Sequence, residues 1–260
     1  MIAIAFIGTI QHDVSKDAIR MLISKIKEEA SSDLLIVCNA DGLFSSSTKL
    51  VEQLEMLFDS GIDLILVGEQ AISRNCCRSV FAKTDWPIIK ALNLPGSTTE
   101  TSIKLINYKN ESFYFISTAG QNGRIPVEFS YIKLDEFFQN KKNISPVIII
   151  ESNANTKYLQ ALAWRYSNRN DVTLLFGVGT GFVTTPSYCL SEKSLFQSDI
   201  GSIVTENTVN GIEPELWWKK NIDRRPLTLL PKWGALKCDY TIVYFEEGKI
   251  KNFFTKSVRI

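Results

Sequence analysis

Short apolar runs alternate with amphipathic stretches through the first two thirds of the chain. Ile2 to Ile7 reads as a strand. Ser15 to Glu29 reads as a helix, because Ile19, Leu22, Ile23 and Ile26 recur on one face at helical spacing. Leu34 to Val37, Leu64 to Val67 and Val147 to Ile150 are apolar enough to be strands covered on both faces. Helices fit between them at Thr48 to Phe58, Ala71 to Phe81 and Thr156 to Tyr166. This βαβ rhythm predicts a largely parallel sheet with helical cover.

The C-terminal part follows a period of two. Tyr240 to Phe245 and Ile250 to Val258 alternate about a Glu-Glu-Gly-Lys turn and predict an antiparallel hairpin. Ile103 to Ile106 and Phe113 to Ser117, around Lys109-Asn110-Glu111, predict another. Such hairpins are expected to form a second sheet packed face to face on the first. No internal repeat, low-complexity tract or Pro/Gly linker marks a boundary, so residues 1–260 are expected to form one domain.

Composition narrows the class of partner. With 45% hydrophobic and 22% charged residues, the chain has ordinary globular proportions. Lys and Arg number 29 against 28 Asp and Glu. That balance gives no overall field to draw in nucleic acid or an anionic membrane. Met1 to Ile10 is apolar but has no basic flank and runs into Gln11-His12-Asp13, as a first strand does and a signal peptide does not. No stretch approaches the roughly 20 apolar residues of a membrane-spanning helix, and the expected location is cytoplasmic. Cys38, Cys76, Cys77, Cys189 and Cys238 form no CxxC pair, which fits reduced thiols. The adjacent Cys76 and Cys77 supply too few ligands for a metal site on their own.

In open α/β sheets, ligands gather where loops leave the carboxyl ends of strands. Those loops carry Gly8-Thr9-Ile10-Gln11-His12-Asp13, Asn39-Ala40-Asp41-Gly42, Gly68-Glu69-Gln70, Glu151-Ser152-Asn153 and Gly177-Val178-Gly179-Thr180-Gly181. Together with Phe6-Ile7-Gly8, Ser60-Gly61-Ile62-Asp63, Asn93-Leu94-Pro95, Leu162-Ala163-Trp164 and Asp199-Ile200-Gly201, their order resembles the bacterial calcineurin-like metallophosphoesterases of the YmdB type. The resemblance spans essentially the whole chain. It implies a four-layer αββα sandwich, a homo-oligomer, and 2′,3′-cyclic-nucleotide phosphodiesterase chemistry at two iron or manganese ions.

The residues that the resemblance assigns to that chemistry are replaced. The family's first strand ends Gly-Asp where this chain has Gly8-Thr9, and a hydroxyl is a poor ligand for such ions. Family Gly-Glu-Asn becomes Ala40-Asp41-Gly42, which keeps a carboxylate and loses an amide. Family Gly-Asn-His becomes Gly68-Glu69-Gln70, and glutamine cannot transfer a proton near neutral pH. A later histidine falls on Ser152, and Gly-Thr-His-Thr-His becomes Gly177-Val178-Gly179-Thr180-Gly181. Thr9, Asp41, Gly42, Glu69, Gln70, Ser152, Gly179 and Gly181 are thus expected to be a vestigial site with no catalytic residue and no metal.

A catalytically inactive homologue with a structural or protein-interaction role is therefore the expected function. The first alternative is a phosphodiesterase with a remodelled single-metal centre on His12, Asp41 and Glu69; separately, Asp41 and Glu69 could hold one hard cation with Glu151 or Asp199. His12 is the one histidine in the chain. Beside Asp13 it is also expected in a surface hydrogen-bond network. A second alternative is a nucleotide or RNA sensor. The glycines at positions 177, 179 and 181 suit an anion cradle but lack the Walker lysine. Trp217-Trp218-Lys219-Lys220, followed by Asp223-Arg224-Arg225-Pro226, could stack and pair with RNA. The same segment also reads as a helix with one buried tryptophan and a solvated basic face, or as a subunit interface.

Overall fold

The computed structural model describes residues 1–30, 33–82, 85–121, 126–140, 147–167, 169, 172–188 and 194–260. The chain opens with β1 (Ile2–Ile7), β2 (Thr9–Ile10), α1 (Lys16–Ala30), β3 (Asp33–Asn39), α2 (Asp41–Ser46), α3 (Leu50–Asp59) and β4 (Leu64–Val67). It continues through α4 (Asn75–Ala82), β5 (Ile88–Lys90), α5 (Thr99–Ser102), β6 (Ile103–Tyr108), β7 (Glu111–Thr118), α6 (Ser130–Asn140) and β8 (Val147–Ser152). The last part is α7 (Thr156–Tyr166), β9 (Val172–Gly177), β10 (Ser187–Tyr188), β11 (Leu195–Gln197), β12 (Ser202–Thr205), α8 (Pro214–Asn221), β13 (Leu236–Glu246) and β14 (Lys249–Arg259).

Two sheets carry the fold. In the first, β1, β3, β4 and β5 run parallel, β13 pairs antiparallel with β1, and β14 closes the edge beyond β13. Short β2 and β12 pair with each other, and β12 pairs with β13. The second sheet runs β10-β11-β9-β8-β7-β6, parallel from β7 through β8 and β9 to β11.

Strand alternation produces the layers. Ile2, Ile4 and Phe6 of β1 face Phe115, Ile149 and Phe176 of the second sheet in a core between the sheets. The Phe6 and Phe176 rings lie 4.8 Å apart there. The intervening Ala3, Ala5 and Ile7 turn outward onto Ile19, Leu22, Ile23 and Ile26 of α1 and Leu54 and Leu57 of α3. On the far side, Ile116, Ile148 and Ile150 meet Leu134 of α6 and Leu159 and Leu162 of α7. Helix, sheet, sheet and helix stack as the expected αββα sandwich.

Several expectations need correction. The C-terminal hairpin forms as β13 and β14 but joins the first sheet, because β13 pairs along all of β1 from Ile2 to Ile7. Only the β6–β7 hairpin enters the second sheet, and Val147 to Ile150 lies there as well, as β8. Periodicity shows that a strand is covered on both faces but not which sheet it enters. The helix expected from Ala71 to Phe81 is a 3-10 turn at Glu69–Ile72 followed by α4. Between them, Arg74 donates its guanidinium to the carbonyls of Leu43, Phe44 and Ser47. On α8 no residue is buried, Trp217 is half-buried and Trp218 is 57% exposed, so the expected buried tryptophan is absent there. Among the described residues no helix is long and apolar enough to cross a membrane.

Candidate functional site

The carboxyl ends of β1, β3, β4, β8 and β9 converge on one edge of the sandwich, as parallel strands with helical crossovers require. A cleft of about 370 Å³ opens there, bordered by Thr9, Asp41, Gly42, Glu69, Gln70 and Gly179 among others. Six of the eight positions singled out in the sequence thus meet in one place. Ser152 lies buried just behind the wall, and its Oγ accepts from Ala154 N at 3.4 Å. Gly181 sits beside the Asn210 side chain and Ser202.

Asp41 opens α2, and its carboxylate reaches across to the neighbouring loops. Oδ1 accepts from Gln70 N at 3.2 Å, and Oδ2 from Asn153 Nδ2 at 3.5 Å. Burial of this carboxyl, with Glu69 close by, pushes it up to about 7 despite the hydrogen bonds that favour its charged form. Glu69 accepts from Gln70 Nε2 at 3.1 Å through Oε1, while its Oε2 is buried without a partner. Thr9 is 4% exposed, and its Oγ1 is likewise without a partner.

Beneath the cleft floor lies a polar network around Glu151, which the sequence named only as a possible metal ligand and not as a partner of Asn39 and Ser117. Glu151, 1% exposed, accepts from Asn39 Nδ2 and from Ser117 Oγ, the latter at 2.7 Å. Burial, and the charge of nearby Asp41, push Glu151 up to about 7. Asn39 Oδ1 accepts from Asp41 N at 3.0 Å, and Asn153 Oδ1 accepts from Gly120 N at 2.6 Å. Asn39 and Asn153 therefore brace the loops that carry the carboxylates. An amide closing the apolar run Leu34-Leu35-Ile36-Val37-Cys38-Asn39 was the available signal, since a polar group at a buried strand end needs a partner.

The loop after β9 is held from outside the cleft. Asp199 is buried and accepts from Thr180 N at 2.7 Å, from Thr180 Oγ1 at 2.6 Å and from Gly201 N at 2.6 Å. Burial pushes its carboxyl above the usual carboxylate range. The loop runs through Gly179 at φ +113° and Gly181 at φ +77°, conformations that side chains on an L-residue rarely permit. No helix follows it before β10.

His12 does not join Asp41 and Glu69. It is 4% exposed rather than on the surface, with Nδ1 2.9 Å from Asp13 O and Nε2 buried without a partner. Its ring packs against Gly211 and lies 6.1 Å from the Trp233 ring. Cys77 is buried with Sγ 3.3 Å from Phe44 O, Cys76 is exposed, and neither borders the cleft. Cys38 and Cys238 are buried free thiols, and Cys189 lies outside the described residues.

These residues do not fit a pair of transition-metal ions. Two ions held about 4 Å apart need several imidazoles and carboxylates between them. The cleft offers Asp41 and Glu69, while Glu151 and Asp199 are committed to hydrogen bonds in its walls. Among the described residues no three His, Cys, Asp or Glu side chains group so as to hold an ion.

Comparison with known proteins places the chain. It is similar to a solved hypothetical protein from Thermus thermophilus, with 20% identity, 99% of each chain covered and a TM-score of 0.82. A novel phosphatase from Mycoplasma pneumoniae is similar at 17% identity and TM-score 0.81, over 100% of this chain and 93% of that one. A putative 5′-nucleotidase from Staphylococcus aureus matches at 8% identity and TM-score 0.60, over 97% of this chain and 54% of the other. No curated protein matches significantly by sequence. The shared fold is that of the calcineurin-like metallophosphoesterases. The family model described as YmdB-like protein matches residues 5–254, so the chain belongs to the YmdB-like family.

Proposed function

We propose that this chain is a catalytically inactive member of its phosphoesterase family, acting through its surfaces as a homo-oligomer with a protein partner. One observation carries the reading. Where the resemblance puts metal ligands and a proton donor, the strand-end cleft has Thr9, Gly42, Gln70, Gly179 and Gly181, with Ser152 sealed behind its wall. The remaining carboxylates belong to a hydrogen-bonded scaffold. Asp41 ties α2 to the loops after β4 and β8, and Glu151 ties the sheets together. A remodelled single-metal centre draws no support from His12, whose ring is packed against Gly211 and does not border the cleft.

Hydrolysis of bis-p-nitrophenyl phosphate and 2′,3′-cyclic nucleotides, with and without Mn²⁺, tests the reading. Wild type and an Asp41→Ala, Glu69→Ala double variant should both stay at background. Turnover by wild type that the double variant loses would replace this reading with a remodelled phosphodiesterase.

A further inference from the structure

The fold gathers amides at the strand-end cleft. Asn and Gln make up 23 of the 260 residues of the chain, yet six of the 16 that border the cleft. Two of the six are braces. Asn39 is held between Glu151 and Asp41, and Asn153 between Gly120 and Asp41. The other four arrive on separate loops, Gln11 after β2, Gln70 after β4, Asn155 after β8 and Asn210 after β12. They keep hydrogen-bonding capacity that the protein does not use. Among the described residues the side chains of Gln11 and Asn210 make no hydrogen bond, Gln70 uses only Nε2, and Asn155 uses only Oδ1.

What the border lacks narrows the ligand. Among the described residues no Lys, Arg or His borders the cleft. Phosphate and carboxylate ligands are held by cationic donors or a metal, so an anion does not match this wall. No aromatic ring borders it either, whereas nucleobases are held by stacking on one. Val178 and Ala154 bring its only apolar side chains besides the methyl of Thr9. That is too little apolar surface for a lipid or an aromatic compound.

A cation is a poor match as well. Asp41 and Glu69 already accept hydrogen bonds from Gln70 and Asn153. A metal ion or ammonium accepts none, so the free amide hydrogens of Gln11, Asn155 and Asn210 would gain no partner from it. A hydroxyl both donates and accepts, and it suits amides and carboxylates side by side. We infer that the cleft binds a neutral carbohydrate, whose hydroxyls pair with the amides of Gln11, Gln70, Asn155 and Asn210. The volume of about 370 Å³ lies in the range of small-ligand pockets. Gly179 adds room on the border, with no atom within 4 Å on the side where a side chain would project. The assignment rests on the inactive-homologue reading, because an active phosphodiesterase fills the same space with metal ions and an anionic phosphate.

Titration calorimetry and thermal unfolding with D-ribose, D-glucose and maltose test it, beside adenosine, inorganic phosphate, methylammonium and MnCl₂. At least one sugar should bind saturably and raise the unfolding midpoint, because a ligand of the folded state stabilises it by mass action. Saturation separates a site from the general stabilisation that excluded polyols give to any protein. Gln11→Met and Asn210→Gly should each weaken binding about three- to tenfold by removing one hydrogen-bonding amide. Methionine keeps the length of glutamine, and glycine accepts the φ of +50° at Asn210. Their own unfolding midpoints report whether the variants fold.

No saturable binding of any sugar at about 50 mM, where even weak site binding registers, overturns the inference. So does binding that is unchanged in both variants, or tighter binding of phosphate, methylammonium or Mn²⁺ than of every sugar. Adenosine binding tighter than every sugar overturns it too, since a base would then carry the recognition. These outcomes leave the inactive-homologue reading standing. Hydrolysis of bis-p-nitrophenyl phosphate in the presence of Mn²⁺ is the separate result that overturns that reading.

Discussion

Asn39, the last residue of β3 in the first sheet, donates its side-chain amide to the carboxylate of Glu151 on β8 of the second. Both residues are 1% exposed, so this is a polar joint between two otherwise apolar sheet faces. Ser117 Oγ completes it from β7. Such a joint stabilises only if every member is satisfied. Glu151→Ala would leave Asn39 Nδ2 without its acceptor and should destabilise the fold by about 2 to 4 kcal/mol, measured by urea unfolding. An unchanged denaturation midpoint would show that the joint contributes nothing.

The same carboxyl predicts a pH dependence. Its folded-state value is raised to about 7, above that of an unfolded glutamate, and Asp41 is raised in the same direction. A raised value means the folded state holds a proton the unfolded chain releases. The stabilising contribution is therefore full below the ordinary carboxylate range and lost as pH rises through about 7. Wild type should lose roughly 2 kcal/mol of stability between about pH 5 and pH 8 through this term. Glu151→Gln, which cannot ionise, should show a flatter profile over the same range. A wild-type profile that rises with pH there would contradict the argument.

Much of this arrangement was legible because strand ends announce themselves. Ile2 to Ile7 and Leu64 to Val67 coincide with β1 and β4, and the loops behind them hold Thr9 and Glu69, which border the cleft together. What escaped was pairing across long separations. The approach of Asn39 to Glu151 spans 112 positions and has no local signature. The burial of His12 was equally hidden, because it depends on Gly211 and Trp233 arriving from a distant segment. The placement of β13 in the first sheet escaped for a similar reason, since its own residues do not say that it pairs with β1, more than 200 positions earlier.

Metal content tests the proposed loss of ligands directly. Protein purified from cells grown with iron, manganese and zinc should carry well under one transition-metal ion per chain, because imidazole and carboxylate supply the affinity for these ions. Elemental analysis showing close to two ions per chain would overturn the degenerate-site argument. Asp41→Ala with Glu69→Ala should not change the measured content.

Assembly is the next expectation. Leu216, Trp218, Ile222, Leu230 and Trp233 are exposed on α8 and the segment after it, with Lys219, Lys220, Arg224 and Arg225 among them. Exposed tryptophans beside arginines are favoured anchors of interfaces. Light scattering at micromolar concentration should give a multiple of the 29.3 kDa chain mass. Trp218→Ser should shift the protein toward monomer while leaving the far-ultraviolet circular dichroism unchanged. A monomeric wild type would remove this reading of the segment.

Restoring the replaced side chains should not restore a metal centre. A variant carrying Thr9→Asp, Asp41→Glu, Gly42→Asn, Glu69→Asn, Gln70→His, Ser152→His, Gly179→His and Gly181→His supplies the residue types implied by the resemblance, but the backbone opposes several of them. Gly179 and Gly181 lie at φ +113° and +77°, and each non-glycine residue forced there costs about 1 to 2 kcal/mol or more. Asp199 fixes that geometry by holding Thr180 N and Thr180 Oγ1 between the two glycines. Ser152 is fully buried, and Gly42 is pressed against the backbone of Ile10 and Gln11, so larger side chains at these positions displace their surroundings. The expected outcome is a variant whose unfolding midpoint falls by several degrees and that neither retains Mn²⁺ through dialysis nor hydrolyses bis-p-nitrophenyl phosphate. Hydrolysis by this variant would mean that side-chain identity alone separates this chain from an active enzyme.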